Sequence, residues 1–242
     1  MKRFLPVALA AVPAATFPCL SLADAHYHRA EEVISHYYQP IDNKAAPWRK
    51  SREDAVSVTD YALCFNKMVN QHPQQTLVVM CPDMSQSTFD NEPEPTDLYV
   101  LEESEQGMQL VLAEQNVGYR FEGIVHIGAG KWAIHAANSA MNQGYGQTHD
   151  VLLLFVGNKF IPIAQWTSWL SNEGALAAND EGMEKIKNTL SVDTSQPDAE
   201  FYPVVIHSTG LSNNEKIDKT WSFQYAMDKG EYRIAENLQG GY

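Results

Sequence analysis

Histidine is the residue type in this chain whose spacing most directly suggests chemistry. His26 and His28 fall just beyond an apolar leader, and two signal-peptidase exits are open there, after Ala23 or after Ala25. The first leaves Asp24-Ala25-His26 at the new amino terminus, the second His26-Tyr27-His28. Either way the third residue is histidine and no proline precedes it. A free amine, two deprotonated amides and that imidazole supply four coplanar nitrogens, a geometry suited to Cu(II) or Ni(II). If His26 comes first, its own imidazole can instead join the amine and another histidine in a brace. No cofactor is otherwise required by the sequence.

A second pair is His126 and His135. Residues 121–127 alternate, with Phe121, Val125 and Ile127 on one side. After Gly128-Ala129-Gly130 the chain resumes with Trp132 and Ile134 against Ala133 and His135. An even-length loop puts the large apolar residues of both runs on one face. His126 and His135 then become diagonal neighbours on the other, roughly 7–8 Å apart, within reach of a shared zinc or copper ion. Ser139, His149 and Asp150 have the residue types of a hydrolase triad, which only geometry can establish. The chain has no G-x-S-x-G, H-E-x-x-H, C-x-x-C or P-loop motif. Gly128-Ala129-Gly130-Lys131 reads as a hairpin turn, since no Ser or Thr follows the lysine. The carboxylates of residues 83–96 lack the spacing of a calcium loop.

The elements that must position these groups are mostly strands. Strands are expected near 76–81, 98–101, 108–112, 121–127, 131–137, 150–156, 159–166 and 201–207, with a closing hairpin at 221–235. Residues 151–156 are apolar throughout, as in a strand buried on both faces. Gly157-Asn158 is a hairpin signal, and Pro162 calls for an edge or a bulge. Three helices are expected: 29–38, 51 to about 70 with Ser51 as cap, and a short inserted one at 180–189. The fold class is therefore mainly β, an antiparallel sandwich or open meander with two N-terminal helices, a propeller-like arrangement remaining open. The division is a signal peptide at 1–25, a helical segment at 26–75 packed on the core, and an antiparallel β domain at 76–242.

Met1-Lys2-Arg3, the apolar run to about Leu22 and the exit Ala23-Asp24-Ala25 form a secretory signal, so the expected location is periplasmic or secreted. No later run is long enough to span a bilayer as a helix. Loss of two cations and one anion with residues 1–25 takes the net charge from −13 to −14. That acidity disfavours nucleic-acid backbones as partners. Cys64 and Cys81 are the cysteines left after cleavage, and an oxidising compartment predicts a disulfide between them, pinning the second helix to the sheet.

The runs VLLLFVGNKFIPIAQW (151–166), SNEGA (171–175), FYPVVI (201–206) and WSFQY with GEYRIAENL (221–238) resemble a group of β-rich bacterial envelope proteins of unknown function. The resemblance covers about the second half of the chain and implies export and β architecture, with no functional residue to carry over. Three functions follow as expectations. The first is a non-enzymatic interaction module of the envelope, of stress, inhibitor or immunity type, with a protein or envelope ligand. The second is an amino-terminal Cu(II)/Ni(II)-binding protein, and the third an envelope hydrolase.

Overall fold

The computed structural model describes residues 26–50, 59–86, 95–176 and 181–241. The expected signal peptide and the first part of the expected second helix lie outside them. Strands β1 (His26–Tyr27), β2 (Tyr38–Pro40), β3 (Trp48–Lys50), β4 (Asp60–Gln71), β5 (Gln74–Pro82), β6 (Asp97–Ser104) and β7 (Gly107–Glu114) form one seven-stranded sheet, in the order β1-β7-β6-β5-β4-β3-β2. Helix α1 (Ala30–Tyr37) joins its two edges. The second sheet is a seven-stranded meander in chain order: β8 (Arg120–Gly128), β9 (Lys131–Asn142), β10 (Tyr145–Phe155), β11 (Phe160–Ser171), β12 (Lys185–Val192), β13 (Val204–Ser212) and β14 (Glu215–Phe223). A small hairpin, β15 (Tyr225–Ala226) with β16 (Glu231–Tyr232), follows. All pairings are antiparallel. Mainly β is thus correct, and the two meanders are stacked.

Three apolar layers hold the stack. Leu77, Val79, Leu98 and Val100 of the first sheet meet Trp132, Ile134, Val151 and Leu153 of the second. Val33 and Ile34 of α1 cover the first sheet's other face, over Tyr38, Tyr61, Val78 and Tyr99. Ile127, Leu152, Leu154, Trp166, Val204 and Ile206 build the third layer, closed by Tyr232, Ile234 and Leu238. Leu152 and Leu154 face one layer and Val151 and Leu153 the other, as the unbroken apolar run required. The Gly157-Asn158 turn has φ of 55° and 60°, both left-handed. At Pro162 the ladder to β10 slips, leaving Ile163 as the extra residue of a bulge.

Two expected helices are strands. Residues 60–71 fold as β4, so 26–75 is not a helical unit. Bulges between Leu63 and Phe65 and between Met68 and Asn70 break the two-residue period, and the resulting spacing imitates a helix. Tyr61 and Leu63 consequently pack toward α1, while Phe65 and Val69 pack toward the second sheet. Residues 185–192 form β12, whose inward positions Ile186, Asn188, Leu190 and Val192 alternate with exposed ones. The buried asparagine disguised that period. The Cys64–Cys81 disulfide is present, with Cα atoms 5.8 Å apart. It ties β4 to β5, strand to strand, and not a helix to the sheet. Residues 221–235 make the end of β14 and the β15–β16 hairpin, not one continuous hairpin.

Candidate functional site: a cleft where the second sheet forks

Strands β11 and β12 share a ladder only from Trp169–Lys187 to Ser171–Lys185. Beyond that point they part. Residues 188–192 continue their ladder with β13, and their other edge opens into a cleft. The sheet curls as it forks, so that Ile127 of β8 meets Val204 and Ile206 of β13. The returning chain is fastened to the end of β8 by Tyr202 N–H to Ile127 O (2.7 Å) and Ala129 N–H to Ala199 O (2.9 Å). Gly128 is needed there, because a Cβ would run into the Glu200 carbonyl. The resulting cleft, about 530 Å³, has the inner face of β8–β11 as one wall and β12 as the other. That volume is in the range of small-ligand sites.

On the floor of the cleft, Asp150 accepts hydrogen bonds from two directions. His135 Nε2 lies 2.6 Å from its Oδ2, and the Ser168 hydroxyl donates to its Oδ1. A carboxylate only accepts, so in this contact the imidazole donates from Nε2. Trp166 stacks on His135, with ring centres 5.4 Å apart. Arg120, Glu122 and Lys187 also line the cleft, Arg120 Nε donating to Glu122 at 2.6 Å. The arrangement can hold and orient a polar ligand. It differs from a serine hydrolase, in which imidazole stands between hydroxyl and carboxylate. Here the carboxylate stands between the other two.

Ser139, His149 and Asp150 do not form a triad. Ser139 pairs with Thr148 (3.0 Å). His149 and Asp150 are strand neighbours and point to opposite faces. Thr167 gives its hydrogen to the Gly240 carbonyl, so His149 donates to it from Nδ1 (3.1 Å). The functional group that sequence reasoning missed is Ser168. Its signal was the bulge beside Thr148, which turns it toward Asp150 and which no residue pattern revealed.

His126 and His135 are on opposite faces, a correction to the expected pair. The loop has two residues, as required, but bulges at both ends of β8 shift the register, setting His126 against Trp132 and Gly123 against His135. His126 therefore faces the first sheet, and His135 the cleft. His26 sits in β1, exposed, opposite Gln109. The backbone N–H of His28 donates to Glu32 (2.9 Å), and this bond, with the nearby His28 and Arg29 charges, holds the Glu32 carboxyl below its ordinary range. Among the described residues, no group of three or more His, Cys, Asp or Glu side chains is placed to hold a metal. No helix there is long and apolar enough to cross a membrane.

Comparison with known protein families, curated proteins and solved structures finds no match to this chain.

Proposed function

We propose that this chain is an exported, non-enzymatic binding module of the cell envelope, and that it takes a short extended segment of a partner protein into the cleft between β11 and β12. The observation that carries this reading is the inner edge of β12. Over residues 188–192 it has a ladder partner on one side only, and its other side faces a 530 Å³ space. A strand edge opening on a cleft is suited to strand addition, in which main-chain bonds give affinity and alternate side chains give selectivity. Asp150, His135 and Ser168 would read a polar group at one end of the segment, and Leu190 and Val192 an apolar one along it. The disulfide and the leader-like amino terminus support export. The order Ser168–Asp150–His135 weighs against the hydrolase alternative, because the Ser168 hydroxyl donates to the carboxylate of Asp150, and His135 Nε2 is taken up by that same carboxylate.

The test is selection of a random twelve-residue peptide library on the mature protein and on Leu190→Trp, which fills the cleft. Enrichment on the wild type alone is expected, with binding lost when alternate peptide amides are N-methylated. Equal enrichment on both proteins would remove the cleft from the reading. Turnover of a peptide or ester substrate that disappears in Ser168→Ala would replace the module with an enzyme.

A further inference from the structure

The cleft is closed at one end. Strands β11 and β12 stay paired from Ser171–Lys185 to Trp169–Lys187, and the open edge of β12 begins one residue later. A segment laid on residues 188–192 therefore runs head-on into β11. Past Asn188 the ladder positions of β12 are already taken, and the Trp169 ring lies so close on Gly146 that a Cβ there would run into it. The segment has to end at the fork. Polarity decides which end it brings. Strand β12 runs from the closed end of the cleft toward the open one. An antiparallel segment runs the other way and carries its C-terminus to the fork, whereas a parallel one would carry its N-terminus there. Every ladder of the two sheets is antiparallel, and that pairing is slightly the more stable per residue.

Lys187 stands at that fork. Ser139, Thr148, Trp169 and Lys187 are successive ladder partners across β9, β10, β11 and β12, so their side chains share one face of the sheet. Asp150, two residues along β10 from Thr148, is on the same face. Lys187 thus points to the side of the sheet on which the cleft lies, and it lines the cleft. The two carboxylates there are already engaged, Glu122 by Arg120 and Asp150 by His135, each at 2.6 Å. Lys185, the next residue on this face of β12, is paired with Glu173 at 2.7 Å. Lys187 is exposed, and among the described residues it has no carboxylate partner.

We propose that the cleft captures a free C-terminus, with the Lys187 ammonium binding the terminal carboxylate of the partner segment. This rests on the strand-addition reading of the cleft and adds to it the direction of the segment and the chemistry of its end. Ammonium-to-carboxylate bonds are charge-assisted and about twice as strong as neutral ones. Capture of a terminal carboxylate recurs in peptide recognition. The open edge at 188–192 offers five ladder positions, so the cleft reads about the last five residues of the partner, ~17 Å of extended chain. An internal segment is blocked at the fork, an amidated end leaves Lys187 without a counter-charge, and a free amine sets like charges together.

The experiment offers mature, disulfide-intact protein three pools of random heptapeptides and identifies the bound ones by mass spectrometry. The first pool has an acetylated amino end and a free carboxylate, the second is acetylated and amidated, and the third has a free amine and an amidated carboxyl end. Enrichment is expected from the first pool alone. Lys187→Gln should weaken its selected peptides roughly tenfold or more, the scale of a hydrogen bond to a charged group, and Lys187→Arg should restore most of the loss. Lys187 is exposed, so both variants should keep the wild-type melting temperature. Equal enrichment of the first two pools, abolished by Leu190→Trp, would keep the cleft as a strand-addition site and overturn the capture of a carboxylate. Enrichment of the third pool alone would reverse the polarity and overturn it too. First-pool binding unchanged in Lys187→Gln would overturn the assignment of Lys187. No enrichment from any pool would defeat the strand-addition reading itself, and this proposal with it.

Discussion

Asn188 of β12 donates its side-chain amide to the backbone carbonyl of Thr167 in β11, across 2.6 Å, where the two strands part. Its own carbonyl accepts from the Ser208 hydroxyl on β13. One buried side chain thus substitutes for the ladder bond lost at the fork, and it does so from the position where the alternation of β12 calls for an apolar residue. Asn188→Leu should leave the Thr167 carbonyl and the Ser208 hydroxyl without these partners. The expected cost is about 1–3 kcal/mol for each buried polar group left unsatisfied. Urea unfolding checks this, and an unchanged midpoint would mean that the fork is held by other contacts.

The disulfide should contribute on a similar scale. Cys64 and Cys81 are 17 positions apart, and chain-entropy estimates for a loop of that length give about 3 kcal/mol. The double Cys→Ser variant should unfold at correspondingly lower urea. Alkylation of unreduced, native protein should label neither cysteine.

Much of the central architecture was legible because its strands obey simple periods. The run 151–155, the Gly157-Asn158 turn and the even-length loop before Lys131 each carried a local signal that the fold keeps, while Val156 at the end of the apolar run is exposed. Bulges hid the rest. In β4 they imitate a helical spacing, and in β8 they exchange the faces of residues on either side, which separates His126 from His135. The cleft was illegible for another reason. It arises from strands that stop pairing, and neither Asp150 nor Ser168 has a sequence neighbour that announces the other. The disulfide could be read because it needed only a count of cysteines and a compartment.

Lys50 and Asp97 form a deeply enclosed ion pair in the first sheet, at 2.6 Å with side chains 9% and 0% exposed. Asp97 also accepts from the Tyr38 hydroxyl and from the backbone N–H of Asn116. Its carboxylate therefore ties β3, the start of β2 and the chain after β7 to the first residue of β6. Removing one partner leaves a buried charge uncompensated, so Lys50→Ala and Asp97→Ala should each destabilise by about 3–5 kcal/mol. Lys50→Met with Asp97→Leu should lose far less than the sum of the two. Additive losses in that cycle would show that the pair is not coupled.

The tyrosines around that pair set an alkaline limit. Burial raises the pKa of Tyr38 and Tyr99 far above the ordinary phenol value of 10.0, and burial does the same to Tyr232 in the outer layer. A group whose folded-state pKa is raised stabilises the fold fully below its unfolded pKa and progressively less as pH climbs toward its folded one. Stability should therefore be insensitive to these residues below about pH 9 and should fall steeply above about pH 10. Tyr38→Phe and Tyr99→Phe should flatten that fall, as measured by urea midpoints between pH 8 and pH 11. A pH-independent midpoint in the wild type would contradict the assignment.

If the leader-like segment is removed as the sequence leads one to expect, the two exits should differ in what they offer Cu(II). A chain beginning at Asp24 would place the ion on the amine, the amides of Ala25 and His26, and the His26 imidazole. A chain beginning at His26 would need the amides of Tyr27 and His28 instead. The His28 amide already donates to Glu32 at the start of α1, and Tyr27 is packed in the α1 layer. Binding there must break that contact with the first turn of the helix, so it should be the weaker of the two. The Asp24 form is expected to hold one Cu(II) at least tenfold more tightly at neutral pH. It should release the ion on acidification, as amine and imidazole protonate. Both forms can be made with defined amino termini and titrated side by side, with a third carrying one extra residue before Asp24. Tighter binding by the His26 form would favour the brace, in which the terminal imidazole itself is a ligand. Equal binding by all three would exclude the amino terminus as the site.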